Sequence, residues 1–222
     1  MTWATFPATA LAFSIAPMNG SMATRPSLLL QLRDAGNQEA WEDFVRIYTP
    51  LIYGFCRQRG LQDADAADVA QEVLKTVART VQRFDYDPSR GRFRNWLLTV
   101  TRSKFNNLLG SQQRHPHVPG GTSALQRLEE LPSPEEETNW DREFHQRLFE
   151  WAAERVRAEV QMKTWQAFWQ AAVEGRRGEE VAANLSLSLG GVYVAKSRVL
   201  TRLRELIASV GDEPPTLKGI VK

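Results

Sequence analysis

Between Gly110 and Thr138 the helical periodicity that governs the rest of this chain stops, and that break limits what the chain can fold into. The segment GSQQRHPHVPGGTS is rich in Gly, Pro, Ser and Gln, and LPSPEEETN adds Pro132, Pro134 and Glu135 to Glu137. Such a composition predicts a flexible linker with at most one short helical turn, at Leu125 to Leu131. On both sides apolar residues recur at helical spacing. The expected fold is therefore all-α: two small helical bundles joined by a flexible linker. The expected organisation is a disordered extension over 1–26, a helical domain over 27–110, a linker over 111–139, a second helical domain over 140–210, and a disordered tail over 211–222.

The first bundle begins with Leu28, Leu29 and Leu32, a short helix before the turn Asp34-Ala35-Gly36. Asn37 is placed to cap a second helix, with Glu39 in its first turn. Its stripe is Trp41, Phe44, Val45, Tyr48, Leu51, Ile52 and Phe55, and Pro50 should kink or divide it. Gly60 ends it. Asp63 and Asp65 offer caps for a third helix, which buries Val69, Val73, Leu74, Val77 and Val81. Its other face carries Asp68, Gln71, Glu72 and Lys75, which on the residues alone is a solvated surface.

A fourth helix follows the polar turn Asp87-Pro88-Ser89-Arg90-Gly91. Phe93, Trp96, Leu97, Val100 and Leu108 are its expected buried face. Asn95, Thr99, Arg102, Ser103 and Asn106 fall on roughly the opposite side. No Asp or Glu occurs between Asp87 and Glu129, while Arg90, Arg92, Arg94, Arg102, Lys104, Arg114 and Arg127 do. A solvated helix face ordinarily mixes both signs. A one-sign face with amides and hydroxyls between the cations suits a phosphate backbone and exposed base edges. The alternative is a surface that is basic without a ligand.

Beyond the linker, Phe144, Leu148, Trp151, Ala152 and Arg155 mark one helix, and Trp165, Phe168, Trp169 and Ala172 another that Gly175 ends. A tryptophan-rich stripe at this spacing is core before it is a ligand site. Glu180 to Leu185 then form a short helix, Ser186-Leu187-Ser188 a turn, and Ser188 a cap for a longer helix. That helix buries Val192, Ala195, Val199, Leu203 and Leu206. Its other side shows Gly190, Val194, Ser197, Arg198 and Thr201, flanked by Tyr193, Lys196, Arg202 and Arg204. No carboxylate lies between Glu180 and Glu205. Short helix, tight turn and a longer helix with a basic, small-residue outer face is a helix-turn-helix pattern. Small residues let such a helix enter a major groove, where Lys and Arg reach phosphates and guanine edges. A plain helical hairpin is the alternative.

Net charge is only +2 over 222 residues, so the distribution of charge carries the information. The single cysteine, Cys56, excludes an intramolecular disulfide and reads as a small core residue. The apolar run Leu11 to Ala16 is short, broken by Pro7 and Pro17, and preceded by no Lys or Arg. It fits neither a signal peptide nor a membrane span, and Met18 or Met22 is an alternative start. His115 and His117 read as polar linker residues rather than a metal pair. His145 has no Ser or Cys nucleophile beside it in sequence. No enzyme activity, cofactor or metal is expected.

Taken in order, three motifs resemble an alternative sigma factor of bacterial RNA polymerase, of the extracytoplasmic-function (ECF) type in the sigma-70 family, over roughly Ser27 to Ile207. Asp68-Val-Ala-Gln71-Glu72-Val73 resembles region 2.2, the helix that docks on the coiled coil of the polymerase β′ clamp. Gly91-Arg92-Phe93-Arg94-Asn95-Trp96-Leu97, continuing through Val100-Thr101-Arg102-Ser103-Lys104, resembles regions 2.3 and 2.4, which open the −10 promoter element and capture flipped bases. Glu179-Glu180-Val181-Ala182 with Ser188-Leu189-Gly190-Gly191-Val192 and Lys196-Ser197-Arg198 resembles region 4.2, the reader of the −35 element. The chain departs from the family at Ser186, where Gly is usual, and at Gly191, Tyr193 and Ser103, and these positions put the promoter sequence in doubt.

The resemblance implies a cytoplasmic transcription initiation factor, monomeric when free, without a membrane segment. Its partners would be core RNA polymerase, through the β′ clamp and β flap, and promoter DNA, with an anti-sigma factor as a further candidate. Asp68, Gln71 and Glu72 would contact polymerase. Arg90, Arg92, Arg94, Asn95, Thr99, Arg102, Ser103, Asn106, Gly191, Tyr193, Val194, Lys196, Ser197 and Arg198 would contact DNA. Two other classes stay open: a helix-turn-helix regulator that acts without polymerase, and a helical interaction protein with basic surfaces.

Overall fold

Each apolar stripe becomes a helix by burying itself against a neighbour's stripe. The computed structural model describes residues 28–34, 36–83, 93–112 and 132–210. Its helices are α1 (Leu28–Leu32), α2 (Gln38–Gln58), α3 (Asp63–Thr80), α4 (Phe93–Gln112), α5 (Pro134–Glu159), α6 (Met162–Phe168), α7 (Gly178–Leu185) and α8 (Leu189–Val210). A 3-10 turn at Val81–Arg83 follows α3, and a π-helical turn at Trp169–Val173 extends α6. No described residue lies in a strand, so the fold is all-α. No described helix is long and apolar enough to cross a membrane. The extension over 1–26, the Asp87 turn with Arg90 and Arg92, most of the 111–139 segment with His115 and His117, and the tail over 211–222 lie outside the described residues.

The chain forms two compact units, one spanning Pro26–Arg147 and one holding the helices from Leu148 onward. In the first, α2 packs on α3 and α3 on α4. Phe44 stacks on Tyr48 with ring centroids 4.5 Å apart, and Phe93 meets Tyr48 edge-on at 5.9 Å. Leu51, Ile52, Val73, Val77, Leu97 and Leu98 fill the space around them. Cys56 lies in this core, and burial pushes its thiol up to about 11, so it is an unreactive apolar group.

Local rules placed the starts of α2 and α8. The Asn37 side chain accepts from the Ala40 N–H at 3.1 Å, and the Ser188 hydroxyl accepts from Gly191 N–H at 3.0 Å. Two expectations need correction. Pro50, expected to kink or divide α2, does not divide it: the helix runs unbroken from Gln38 to Gln58. Proline removes one backbone bond, and the burial of Leu51, Ile52, Phe55 and Cys56 beyond it offsets the loss. Asp63 does not cap α3; Gln62 holds that position without a side-chain bond. Asp63 instead pairs with Arg57 at 3.0 Å and accepts from the Tyr53 hydroxyl at 2.9 Å.

Helix α5 begins at Pro134, ahead of the boundary expected at residue 140, and the two units divide within it. Its start is a capping box. Glu136 N–H donates to the Ser133 hydroxyl at 3.2 Å, and Ser133 N–H donates to the Glu136 carboxylate at 3.3 Å. Pro134 stands at the first helical position, where its missing N–H costs nothing. Glu135, Glu136 and Glu137 complement the positive end of the helix dipole.

In the second unit α6 and α7 pack on α8 around Ala167, Val181, Ala182, Val192 and Ala195. At Gly178, where α7 starts, a β-carbon would crowd only the end of the Leu189 side chain, Cδ1 at 2.8 Å, and Leu189 is partly exposed and free to shift.

Candidate nucleic-acid interface

The buried side of α4 is Phe93, Arg94, Leu97, Leu98, Thr101 and Phe105. Trp96, Val100 and Leu108, expected inside, are half-buried, so the helix is rotated from the sequence expectation. Leu98 and Phe105 take the core positions instead. Thr101 sits in this core because its hydroxyl donates to the Leu97 carbonyl at 2.8 Å.

Arg94, expected among the DNA-facing residues, lies in the core instead. It is only 3% exposed. Its guanidinium lies 4.5 Å from the centroid of the Phe144 ring and 3.5 Å from Asp141 Oδ1. A ring and a carboxylate from α5 thus replace part of the hydration the cation lost on leaving water, while its Nε stays buried without a hydrogen bond. Asn95, Arg102, Ser103 and Asn106 are half-buried and Thr99 is exposed. The Thr99 hydroxyl donates to the Asn95 carbonyl at 3.0 Å. Arg90 and Arg92 are outside the described residues.

Arg102 does not face solvent alone. Its Nη1 lies 2.6 Å from Glu136 Oε2, and Arg59 Nη2 lies 2.5 Å from the other oxygen of the same carboxylate. Arg59 also covers the Phe55 ring, 3.5 Å from its centroid. Burial works to raise the Glu136 pKa; the Arg59 hydrogen bond, the Arg102 charge and the Ser133 backbone outweigh it and hold the carboxyl below its usual range. A lowered carboxylate pKa stabilises the fold above the ordinary Glu range, about pH 4, and that contribution is lost as pH falls through the lowered value.

On α3, Asp68, Gln71 and Glu72 are all exposed, and their spacing places them on one side of the helix. Glu72 Oε1 lies 2.9 Å from Lys75 Nζ. The hydrogen bond from Lys75 and its charge hold Glu72 below the usual carboxylate range, so Glu72 is ionised at neutral pH.

On α8, Val192, Ala195, Val199, Leu203 and Leu206 are buried, as their spacing predicts. Tyr193 and Val194 are 58% and 60% exposed, unusually open for their size. Ser197 and Arg198 are exposed; Gly191 and Lys196 are half-buried. Arg202, counted among the flanking cations, is held inside the unit. Its Nε and Nη2 grip the Glu159 carboxylate at 2.6 and 3.0 Å, and its Nη1 meets Glu205 at 3.1 Å. The hydrogen bond to Glu159 raises Arg202 further above its ordinary value.

Between α7 and α8, Ser186 has φ +52° and ψ +52°, the left-handed conformation that favours glycine. Ser186→Gly is expected to raise the stability of the chain by about 1 kcal/mol, read as an upward shift of the denaturation midpoint. An unchanged midpoint would show that the serine side chain compensates for its strain.

Glu136, Arg59, Trp140 and Asp141 are the site residues that the sequence reading passed over. The Ser133-Pro-Glu-Glu136 capping box was the available signal for the start of α5. Nothing local marked its contact with α4. Among the described residues no cluster of three or more His, Cys, Asp or Glu side chains could hold a metal ion.

Comparison with known proteins matches residues 44–115 to sigma-70 region 2. That stretch holds Asp68, Gln71 and Glu72 as well as the polar side of α4. The chain is 27% identical over 192 residues to the ECF RNA polymerase sigma factor SigE of Mycolicibacterium smegmatis, covering 81% of this chain and 66% of that protein. It is 28% identical over 78 residues to the ECF RNA polymerase sigma factor RpoE of Cereibacter sphaeroides, covering 35% of this chain and 42% of that protein. The chain thus spans just under two thirds of one relative and under half of the other.

Proposed function

We propose that this chain, a sigma-70 family protein of the ECF type, is a transcription initiation factor that binds core RNA polymerase and directs it to promoters. The observation that carries this reading is the sigma-70 region 2 match over a bundle with an acidic–amide face on α3 and a polar, carboxylate-poor face on α4. Asp68, Gln71 and Glu72 would meet the β′ clamp. Arg102, Ser103 and Asn106 would receive unstacked bases of the −10 element, where polar pockets and aromatic surface offset an unstacking cost of a few kcal/mol. Asn95 and Thr99 extend that face, and Arg90 and Arg92 would track the strand backbone.

In the second unit, α7 and α8 would act as a helix-turn-helix on the −35 element, with the β flap as neighbour. Tyr193, Val194, Ser197 and Arg198, with half-buried Gly191 and Lys196, would form its DNA-facing side. Two weak readers on one chain reach useful selectivity because the first to bind raises the effective concentration of the second. Polymerase supplies the chemistry, in keeping with a cytoplasmic factor that needs no cofactor. The decisive experiment is capture of core polymerase by the tagged chain, followed by run-off transcription on genomic fragments. Capture with discrete start sites supports the reading. Tight duplex binding without polymerase would favour a regulator instead.

Arg198 gives a sharper check on the −35 assignment. If it makes a bidentate base contact, Arg198→Ala is expected to cost about 1–3 kcal/mol and to relax selection at one base position. Selection from a randomised −35 library reads this. An equal loss on every sequence would make Arg198 a phosphate contact.

A further inference from the structure

We propose that the first turn of α5, Pro134–Glu137, is an autoinhibitory gate whose Glu136 competes with single-stranded nucleic acid for Arg102. This rests on the reading that the polar side of α4 receives the strand. One carboxylate bridges two guanidiniums, Arg102 at 2.6 Å and Arg59 at 2.5 Å. A strand phosphate would make the same contact. The Arg102 side chain is only 19% exposed in this arrangement, so a strand cannot take both its donors while Glu136 stays.

The aromatic side chains that follow anchor α5 to the bundle. Trp140 is 3% exposed, meets Phe55 edge-on at 5.7 Å, and donates its indole N–H to the Arg94 carbonyl at 3.2 Å. Phe144 stacks on Tyr48 at 5.4 Å. Trp140 and Phe144 are anchored in the core and stay. Glu136, at the fraying end of the helix and held chiefly by charge, is the part that can leave. Opening the first turn breaks the bridge and the capping box and disturbs no buried apolar contact. Region 2 would then expose Arg59 and Arg102 together.

The test measures binding of a fluorescent single-stranded DNA of mixed sequence to the full chain without polymerase. Glu136→Gln is expected to tighten binding about tenfold by releasing both guanidiniums, and adding Arg102→Ala should cancel most of that gain. Glu135→Gln removes the same charge one residue away, on an exposed side chain, and should change affinity less than about twofold. Equal affinities of Glu136→Gln and the natural chain, with the double variant weaker, would overturn the gate and leave the strand reading standing. An equal gain from Glu135→Gln would reduce the effect to general charge and overturn the gate. If Arg102→Ala changes nothing in the Glu136→Gln background, Arg102 is no strand contact and the strand reading falls with the gate. Circular dichroism of each variant separates these outcomes from loss of fold.

Discussion

Reversing two carboxylates on α3, with Asp68→Arg and Glu72→Arg, is expected to abolish co-purification with core RNA polymerase while the helical fold survives. The fold should survive because both side chains are exposed and neither touches the core face of Val69, Val73 and Val77. The loss should be large because two attractions become two repulsions on one partner surface. At about 2–5 kcal/mol for a desolvated interfacial charge pair, affinity should fall at least about a hundredfold. Glu72 carries an additional constraint, since Lys75 already holds one of its oxygens at 2.9 Å. A clamp cation reaching Glu72 would have to share or displace Lys75. Lys75→Ala is therefore expected to leave core binding intact or tighter. Undiminished capture of core by the double variant would remove α3 as the docking helix.

The second large effect is expected at promoter opening. Arg102→Ala with Asn106→Ala should still assemble with polymerase, because α3 is untouched, and should still find duplex promoter through α8. It should fail to hold the strand open. Arg102 would supply charge, and Asn106 would exchange hydrogen bonds with a base edge; without them unstacked bases would have nowhere better to go than the duplex. Permanganate reactivity of unpaired thymines should fall at least about tenfold, and a pre-melted template should restore part of the transcription. Removal of Arg102 also dissolves the bridge to Glu136, so strand loss and gate opening oppose one another in this variant. Arg102→Ala placed in the Glu136→Gln background separates them. Normal opening by the double variant would place melting elsewhere in the chain.

The all-α class, the starts of α2 and α8, and the buried sides of α3 and α8 were legible because they depend on contacts a few residues apart. Asn37 reaches Ala40, Ser188 reaches Gly191, and Val192 to Leu206 repeat with the helical period whatever they pack against. The polar side of α3 was legible for the same reason. The start of α5 belongs here too in principle. Its capping box lies in four consecutive residues, but the prolines and acidic run around it read as linker.

Other outcomes depended on residues far apart in sequence. Arg90, Arg92 and Arg94 look alike as a charge run, yet Arg94 is buried because Phe144 and Asp141 arrive on it from α5. Arg102 and Arg202 look like open cations, yet Glu136 and Glu159 hold them. Pro50 breaks helices in short peptides, yet α2 passes through it because the core beyond it is deep. Periodicity and capping are properties of a local stretch, so sequence determined most of the helical segments and the apolar sides of α3 and α8, but not that of α4. Whether a cation meets solvent, a ring or a carboxylate depends on what folding brings beside it. That choice was made by tertiary structure, through the exchange of hydration for a distant partner.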